Sequence, residues 1–246
     1  MFKVFSRSDV GLVRKSNEDA CRCGILSDHA AWAVVCDGMG GANGGNVASS
    51  VAVEEISETI LSGYREGMDG DATRELIASA INRANEAVHK MAGRDVNLTG
   101  MGTTVVAAIV SDSLVHVAHA GDSRAYLILS DGIHQLTTDH SMVQEMVEKG
   151  DLTEQEARKH PQKNIITRAL GVESSIRIDY SETLAPEGCR LLICTDGLTN
   201  YVEEGQIFAL AKELGGKELT ERLVALAKSA GGGDNITVVV LEDQAV

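Results

Sequence analysis

Three aspartates each stand at the tip of an apolar run. They are Asp37 in Trp32-Ala-Val-Val-Cys-Asp-Gly38, Asp196 in Leu191-Leu-Ile-Cys-Thr-Asp-Gly197, and Asp234 in Gly233-Asp-Asn-Ile-Thr-Val-Val-Val240. A fourth, Asp122, lies in Ala118-His-Ala-Gly-Asp-Ser-Arg124, between two further strand-like runs. Burial disfavours an ionised carboxyl, so several of them meeting in one place require a compensating cation. Hard oxygen ligands with almost no histidine among them suit Mg²⁺ or Mn²⁺.

Asp37 also opens a glycine-rich stretch, Asp37-Gly-Met-Gly-Gly-Ala-Asn-Gly-Gly45. A strand, such a turn and a helix can cradle phosphate. Here the glycine spacing of a dinucleotide loop fails, and no Gly-Lys-Ser/Thr follows. An aspartate at the mouth would repel phosphate unless a cation intervened. A metal with the Gly38 carbonyl among its ligands is the better reading. Arg14 lies in a charged run that ends in Glu18 and Asp19. Such runs are usually surface, yet a guanidinium is suited to bidentate capture of phosphate. His140 and His160 are candidate acid/base groups, against the plainer expectation that a histidine in a polar segment is solvated.

These groups need elements to hold them. Strand patterns fall at 2–6, 20–26, 31–36, 103–110, 114–119, 125–129, 133–136, 176–180, 190–195 and 236–241. Turns as short as Ser111-Asp-Ser113 and Asp131-Gly132 demand antiparallel pairing. Helical periodicity appears in pairs, at 47–61 with 72–92 and at 203–214 with 217–230. Grouped strands and grouped helices imply an α+β fold of two mainly antiparallel sheets, each covered by a helix pair. Segment 139–167 is polar and only briefly helical, and is expected to form a flap.

The 246 residues, with 43% hydrophobic content and only two prolines, are expected to form one domain spanning 1–246. A net charge of −14 argues against nucleic acid as a partner. No apolar run is long enough to span a membrane, and Met1–Phe5 lacks the apolar region of a signal peptide. Five cysteines without a Cys-x-x-Cys pair fit a reduced cytoplasm, with Cys36 and Cys194 as core residues. A monomer is expected.

Taken in order, Asp9-x-Gly11-x-x-Arg14-x-x-Asn17-Glu-Asp19, Asp37-Gly-Met-Gly-Gly41, Met101-Gly-Thr-Thr104, Gly121-Asp-Ser-Arg124, Leu136-Thr-x-Asp-His-Ser141, Ile166-Thr-Arg-Ala-Leu-Gly171, Thr195-Asp-Gly197 and Gly233-Asp-Asn235 resemble the type 2C metal-dependent serine/threonine protein phosphatases, in their compact bacterial branch. The resemblance implies an αββα sandwich that hydrolyses phosphoserine and phosphothreonine on proteins, opposite a cognate serine/threonine kinase. It implies two Mn²⁺ or Mg²⁺ ions, with a third, weaker one. Asp37 would bridge two metals, Asp196 and Asp234 would complete the shell of the first metal, and the Gly38 carbonyl would ligate the second metal, with Glu18 acting through water. Asp122 with Asp196 would hold the third, Arg14 would grip the substrate phosphate, and a bridging hydroxide would attack phosphorus in line. Asp19 matches the family's acidic pair without a direct ligand role. Relatives place a His at position 42 and a Glu at position 46, or a His at position 39. Ala42, Asn46 and Met39 stand there instead, which leaves the general acid open. The rival readings are a pseudophosphatase that binds phosphoproteins without turnover, a phosphatase for one narrow phosphoprotein, and a nucleotide-binding module.

Overall fold

Strand alternation sorts this chain's apolar residues into three separate cores. Successive side chains of a strand point to opposite faces. In β3 (Ala30–Met39), Ala31, Ala33 and Val35 face one core while Trp32, Val34 and Cys36 face another. Both faces are buried, which explains why this run is apolar without alternating. The computed structural model describes residues 1–111 and 113–244, with backbone alone for 41–43.

One sheet has the order β1 (Phe2–Asp9), β11 (Ile236–Asp243), β10 (Arg190–Cys194), β7 (Arg124–Ile128) and β8 (Ile133–Gln135). The other has the order β2 (Asp19–Ser27), β3, β5 (Val105–Ser111), β6 (Leu114–Ala120) and β9 (Asp179–Leu184), with β4 (Gly102–Thr103) paired to the end of β3. Every strand pairing is antiparallel. The sheets face each other across Val106, Val117, Leu127, Ile193 and Val239. Outside the second sheet, α1 (Gly41–Gly63) and α2 (Gly70–Ala92) bury Ile56, Ile77 and Ile81 against Trp32 and Ile109. Outside the first, α6 (Glu204–Glu213) and α7 (Gly216–Ser229) bury Ile207, Leu219 and Leu223 against Leu192 and Val240. The expected four-layer αββα sandwich is therefore observed. Cys36 and Cys194 are core residues, as expected.

Two local expectations differ. Helix α1 starts at Gly41, directly after β3, so the glycine-rich stretch is mostly helix rather than open turn. Pairing of β9 begins at Asp179, opposite His119, and not at Ile176. Ile176 and Ile178 instead pack beneath the α1–α2 layer, so their apolar character serves burial and not a strand. The flap carries α3 (Met142–Glu148) and α4 (Glu154–Lys159), the latter started by a Thr153–Glu156 capping box. A bridge between Ser141 and Ile166 closes its neck.

Candidate metal centre

All the singled-out acidic residues come from strand ends or the turns between them. Asp37 lies near the end of β3, clamped by its backbone. Its N–H donates to Thr104 Oγ1 at 2.9 Å, and its carbonyl accepts from Thr104 N at 2.9 Å and Thr103 Oγ1 at 2.8 Å. The register of β2 on β3 sets Asp19 directly opposite Asp37. Opposed residues of an antiparallel pair share a face, so two like charges meet there, which is destabilising without a counter-ion.

Asp196 opens the single-turn helix α5 (Asp196–Thr199) at the end of β10. Gly197 behind it touches the first sheet's last strand so closely that a Cβ would lie 1.8 Å from the Asn235 carbonyl. Thr195 Oγ1 donates to Asp19 Oδ2 at 2.9 Å and accepts from Thr237 N at 3.0 Å, which ties β10, β11 and β2 together below the carboxylates. Asp234 stands just before β11. Its Oδ1 accepts from Asn235 N at 2.8 Å and its Oδ2 from Arg14 at 2.9 Å.

Arg14 is carried by the loop between β1 and β2, and Asn235 holds that loop. The Asn235 amide nitrogen donates to the carbonyls of Val10 and Ser16, both at 3.0 Å, while its oxygen accepts from Glu18 N at 2.8 Å. Gly11, at φ +80°, brings the loop so near that a Cβ would lie 2.1 Å from the Asp234 carbonyl. Arg14 is half exposed, and its hydrogen-bond partner among the described residues is Asp234. Other guanidinium donors therefore remain for a substrate anion.

Two features fit hard cations. Asp19 Oδ1 and Asp196 Oδ1 are buried with no hydrogen-bond partner. An orphaned carboxylate oxygen is costly in a native fold unless it serves an ion. The second feature is at Gly45, where the place a Cβ would take lies 2.8 Å from both Glu18 Oε2 and the Gly38 carbonyl oxygen. Gly38 N donates to the Glu18 carbonyl at 3.0 Å, so the two residues are held side by side. Among the described residues no three His, Cys, Asp or Glu side chains stand close enough to cage an ion unaided. Mg²⁺-type ions suit such a site, because they bind through one or two carboxylates and keep several waters.

The electrostatics agree. Burial, then the charge of Asp19 and Asp196, holds Asp37 well above the usual carboxylate range. Burial pushes Asp19 up to about 7, with Asp196 and Asp234 adding to it. Asp122, in the turn after β6, is pushed up to about 8 by burial and by Asp196. Burial and Asp234 raise Asp196 as well. Without cations, these groups resist ionising together.

The expected residues Arg14, Glu18, Asp37, Gly38, Asp122, Asp196 and Asp234 thus all lie at one end of the sandwich. Asp19, set aside as a direct ligand, proves central to the electrostatics. Only the β2–β3 register reveals this, although its place next to Glu18 at a strand start was a signal. His140 is not solvated. It is buried, Gly121 N donates to its Nδ1 at 3.1 Å, and its Nε2 lies 3.1 Å from Asp179 Oδ2 and 3.0 Å from Arg168 Nη1. One ring nitrogen thus holds the Asp122 turn and the other is engaged by Asp179 and Arg168, so the ring is a structural tie rather than the free acid/base group expected. His160 accepts from Gln162 N at 3.2 Å near the tip of the flap. The Ala42 side chain lies outside the described residues.

Two sheets between helix pairs, with acidic residues gathered at one end, form the αββα sandwich shared with solved protein serine/threonine phosphatases. The crystal structure of the serine/threonine phosphatase PstP/Ppp of Mycobacterium tuberculosis superposes with a TM-score of 0.90 at 33% identity, over 99% of each chain. The catalytic domain of the protein phosphatase PstP in complex with two manganese ions gives a TM-score of 0.87 at 31% identity, covering 98% of this chain and 97% of that one. The serine/threonine phosphatase stp of Listeria innocua is 37% identical over 242 residues, 96% of this chain and 94% of its own. The family model for protein phosphatase 2C matches residues 13–226, and this chain belongs to that family. It is a protein serine/threonine phosphatase. Among the described residues no helix is long and apolar enough to cross a membrane.

Proposed function

We propose that the acidic end of the sandwich binds at least two divalent cations, Mn²⁺ or Mg²⁺, and there hydrolyses phosphoserine and phosphothreonine on protein substrates. The observation that carries this is the pair of buried, unpartnered oxygens on Asp19 and Asp196. A similar phosphatase catalytic domain holds two manganese ions. Asp37, Asp196 and Asp234 would hold one ion, and Asp37 with the Gly38 carbonyl, backed by Glu18, the other. Asp122 with Asp196 would take a third, weaker one. Such cations supply charge neutralisation at the phosphoryl oxygens and a water that ionises near neutral pH.

The chain's own residues do the rest. Arg14 orients the phosphate dianion through the donors it does not spend on Asp234. Asn235 fixes the loop that presents it, and Thr103 and Thr104 fix the Asp37 backbone. The pseudophosphatase reading gains no support, since every residue expected of the acidic set and Arg14 is present at the site. In this reading, residues 1–246 form one catalytic domain that acts as a cytoplasmic monomer and reverses a serine/threonine kinase.

The test is hydrolysis of p-nitrophenyl phosphate and of a phosphothreonine peptide after exhaustive chelation, then with Mn²⁺ restored. Activity should vanish and return. Full activity in verified metal-free protein would refute the metal reading.

A further inference from the structure

Asp196 does not stand alone at the end of β10. Asn200 lies four residues on, closes the α5 turn by donating its backbone N–H to the Asp196 carbonyl at 2.8 Å, and so shares a face with Asp196. Its side-chain Nδ2 donates to Asp196 Oδ2 at 2.8 Å. Its Oδ1 accepts from Lys163 Nζ at 2.7 Å. Lysine can only donate and a carboxylate can only accept, so the orientation of this amide is fixed by its two neighbours. No other neutral side chain of that size could link the two in this order. The bond from Asn200 occupies one oxygen of Asp196 and leaves Oδ1, which is buried and unpartnered, free.

Lys163 belongs to the flap, just before the Ile166 bridge that closes the neck. The other end of the flap is tied to the Asp122 turn, where His140 N donates to the Gly121 carbonyl at 2.9 Å. Between flap and sandwich runs a cleft of about 650 Å³ lined by Asp122, Asp196, Lys163 and Asn200. The flap is thus anchored on the backbone that carries one carboxylate and, through one amide, on the side chain of another.

We propose that Asn200 is a positioning residue that aims Asp196 Oδ1 at the bound cation, and that Lys163, by locking the Asn200 amide, couples cation binding to the closure of the 139–167 flap. The role is specific because the relay is a single file: Lys163, Asn200, Asp196. Groups that orient a metal's ligand commonly matter 10–100-fold to affinity. This inference rests on Asp196 being a ligand, as proposed above.

Two readouts that do not depend on turnover test it. The first is Mn²⁺ affinity by calorimetry. Asn200→Leu keeps size and charge, and should weaken Mn²⁺ binding about tenfold. Asp196→Ala serves as the reference for the ligand reading itself. The second is cleavage within the flap by a glutamate-specific protease, at the exposed Glu154 or Glu156. Saturating Mn²⁺ should slow this cut several-fold in the wild type and in Lys163→Arg, which keeps a donor-only cation. It should not slow the cut in Asn200→Leu or Lys163→Met. If Asp196→Ala binds Mn²⁺ as the wild type does, the ligand reading fails, and this inference with it. If Asp196→Ala loses binding while Asn200→Leu retains it, the ligand reading stands and the positioning role is overturned. If Mn²⁺ protects the flap equally in all four proteins, or in none, the coupling is overturned. Should Asn200→Leu fail to fold, the Lys163→Met and Lys163→Arg pair still decides the coupling.

Discussion

Asp19→Asn should stabilise the metal-free protein at pH 8. Asp19 sits directly opposite Asp37, and its carboxyl is pushed from an ordinary 3.8 up to about 7 by burial and by Asp196 and Asp234. A folded pKa raised above the unfolded one means that the folded protein keeps a proton the unfolded chain has released. Stability is then full below about pH 4 and falls as pH rises towards 7. At about 1.36 kcal/mol per tenfold change in proton affinity, the penalty at pH 8 is about 4 kcal/mol. Asparagine keeps the shape and removes the charge. Its amide oxygen can accept from Thr195 in the place of Asp19 Oδ2, and its nitrogen, in the place of the unpartnered Oδ1, can donate to neighbouring carboxylates. Allowing about half the penalty for burying the new amide in a site shaped for a carboxyl, the melting temperature at pH 8 should rise by roughly 4–8 °C. At pH 5 the penalty shrinks to below about 2 kcal/mol, and the two proteins should nearly converge. Burial holds His116, His119 and His140 below their ordinary 6.5, so they stay neutral between pH 6.5 and 8 and do not blur the trend there. Saturating Mn²⁺ should then favour the wild type, since a ligand at 100 times its Kd adds about 2.7 kcal/mol. Thermal melts of chelated and Mn²⁺-loaded protein at pH 5 and pH 8 make the measurement. An Asn variant less stable than the wild type at pH 8 without metal, or an equal gap at both pH values, would refute the reasoning.

Asp37→Ala should retain the fold and lose more than about 100-fold in turnover, beyond the range of residues that merely orient a ligand; a near-wild-type rate on p-nitrophenyl phosphate would remove it from the ligand set. Gly45→Ala places a methyl 2.8 Å from Glu18 Oε2 and the Gly38 carbonyl, and should weaken Mn²⁺ binding while costing about 1–3 kcal/mol through overpacking. Unchanged calorimetric affinity would show that this space is not used. Arg14→Lys keeps the charge but loses the planar fork, so KM for a phosphothreonine peptide should rise about tenfold, the equivalent of one charged hydrogen bond. An unchanged KM would leave Arg14 as no more than a partner of Asp234.

Legibility in the sequence followed how local the determining physics was. The sheets and helix pairs were readable because their pattern is periodic, and burial on both faces explains even the unalternating run of β3. Glycine-rich 37–45 misled because composition signals a turn, whereas tertiary contact decides the matter. Gly38 and Gly45 are glycines because the end of β3 and the start of α1 touch, with a Cβ on Gly38 meeting the Gly45 carbonyl at 2.0 Å. The acidic residues at strand tips were legible singly, since a charge beside an apolar run is anomalous wherever it falls. What joins them was not. Asp19 gains its importance only from the register that sets it against Asp37, and sequence alone does not fix which strands neighbour one another. His140 looked like a free imidazole in a polar segment, yet the fold spends both its nitrogens on Gly121 and Asp179. Asn200 marks the boundary between the two cases. Its spacing of four from Asp196 was visible, and on a helical turn that spacing puts both side chains on one face. Its meaning appears only when Lys163, 37 residues earlier, arrives from the flap to fix the amide. In the proposed metal site the ligands are therefore visible in sequence, because they must be acidic, while the groups proposed to aim them are hidden, because they need only be near.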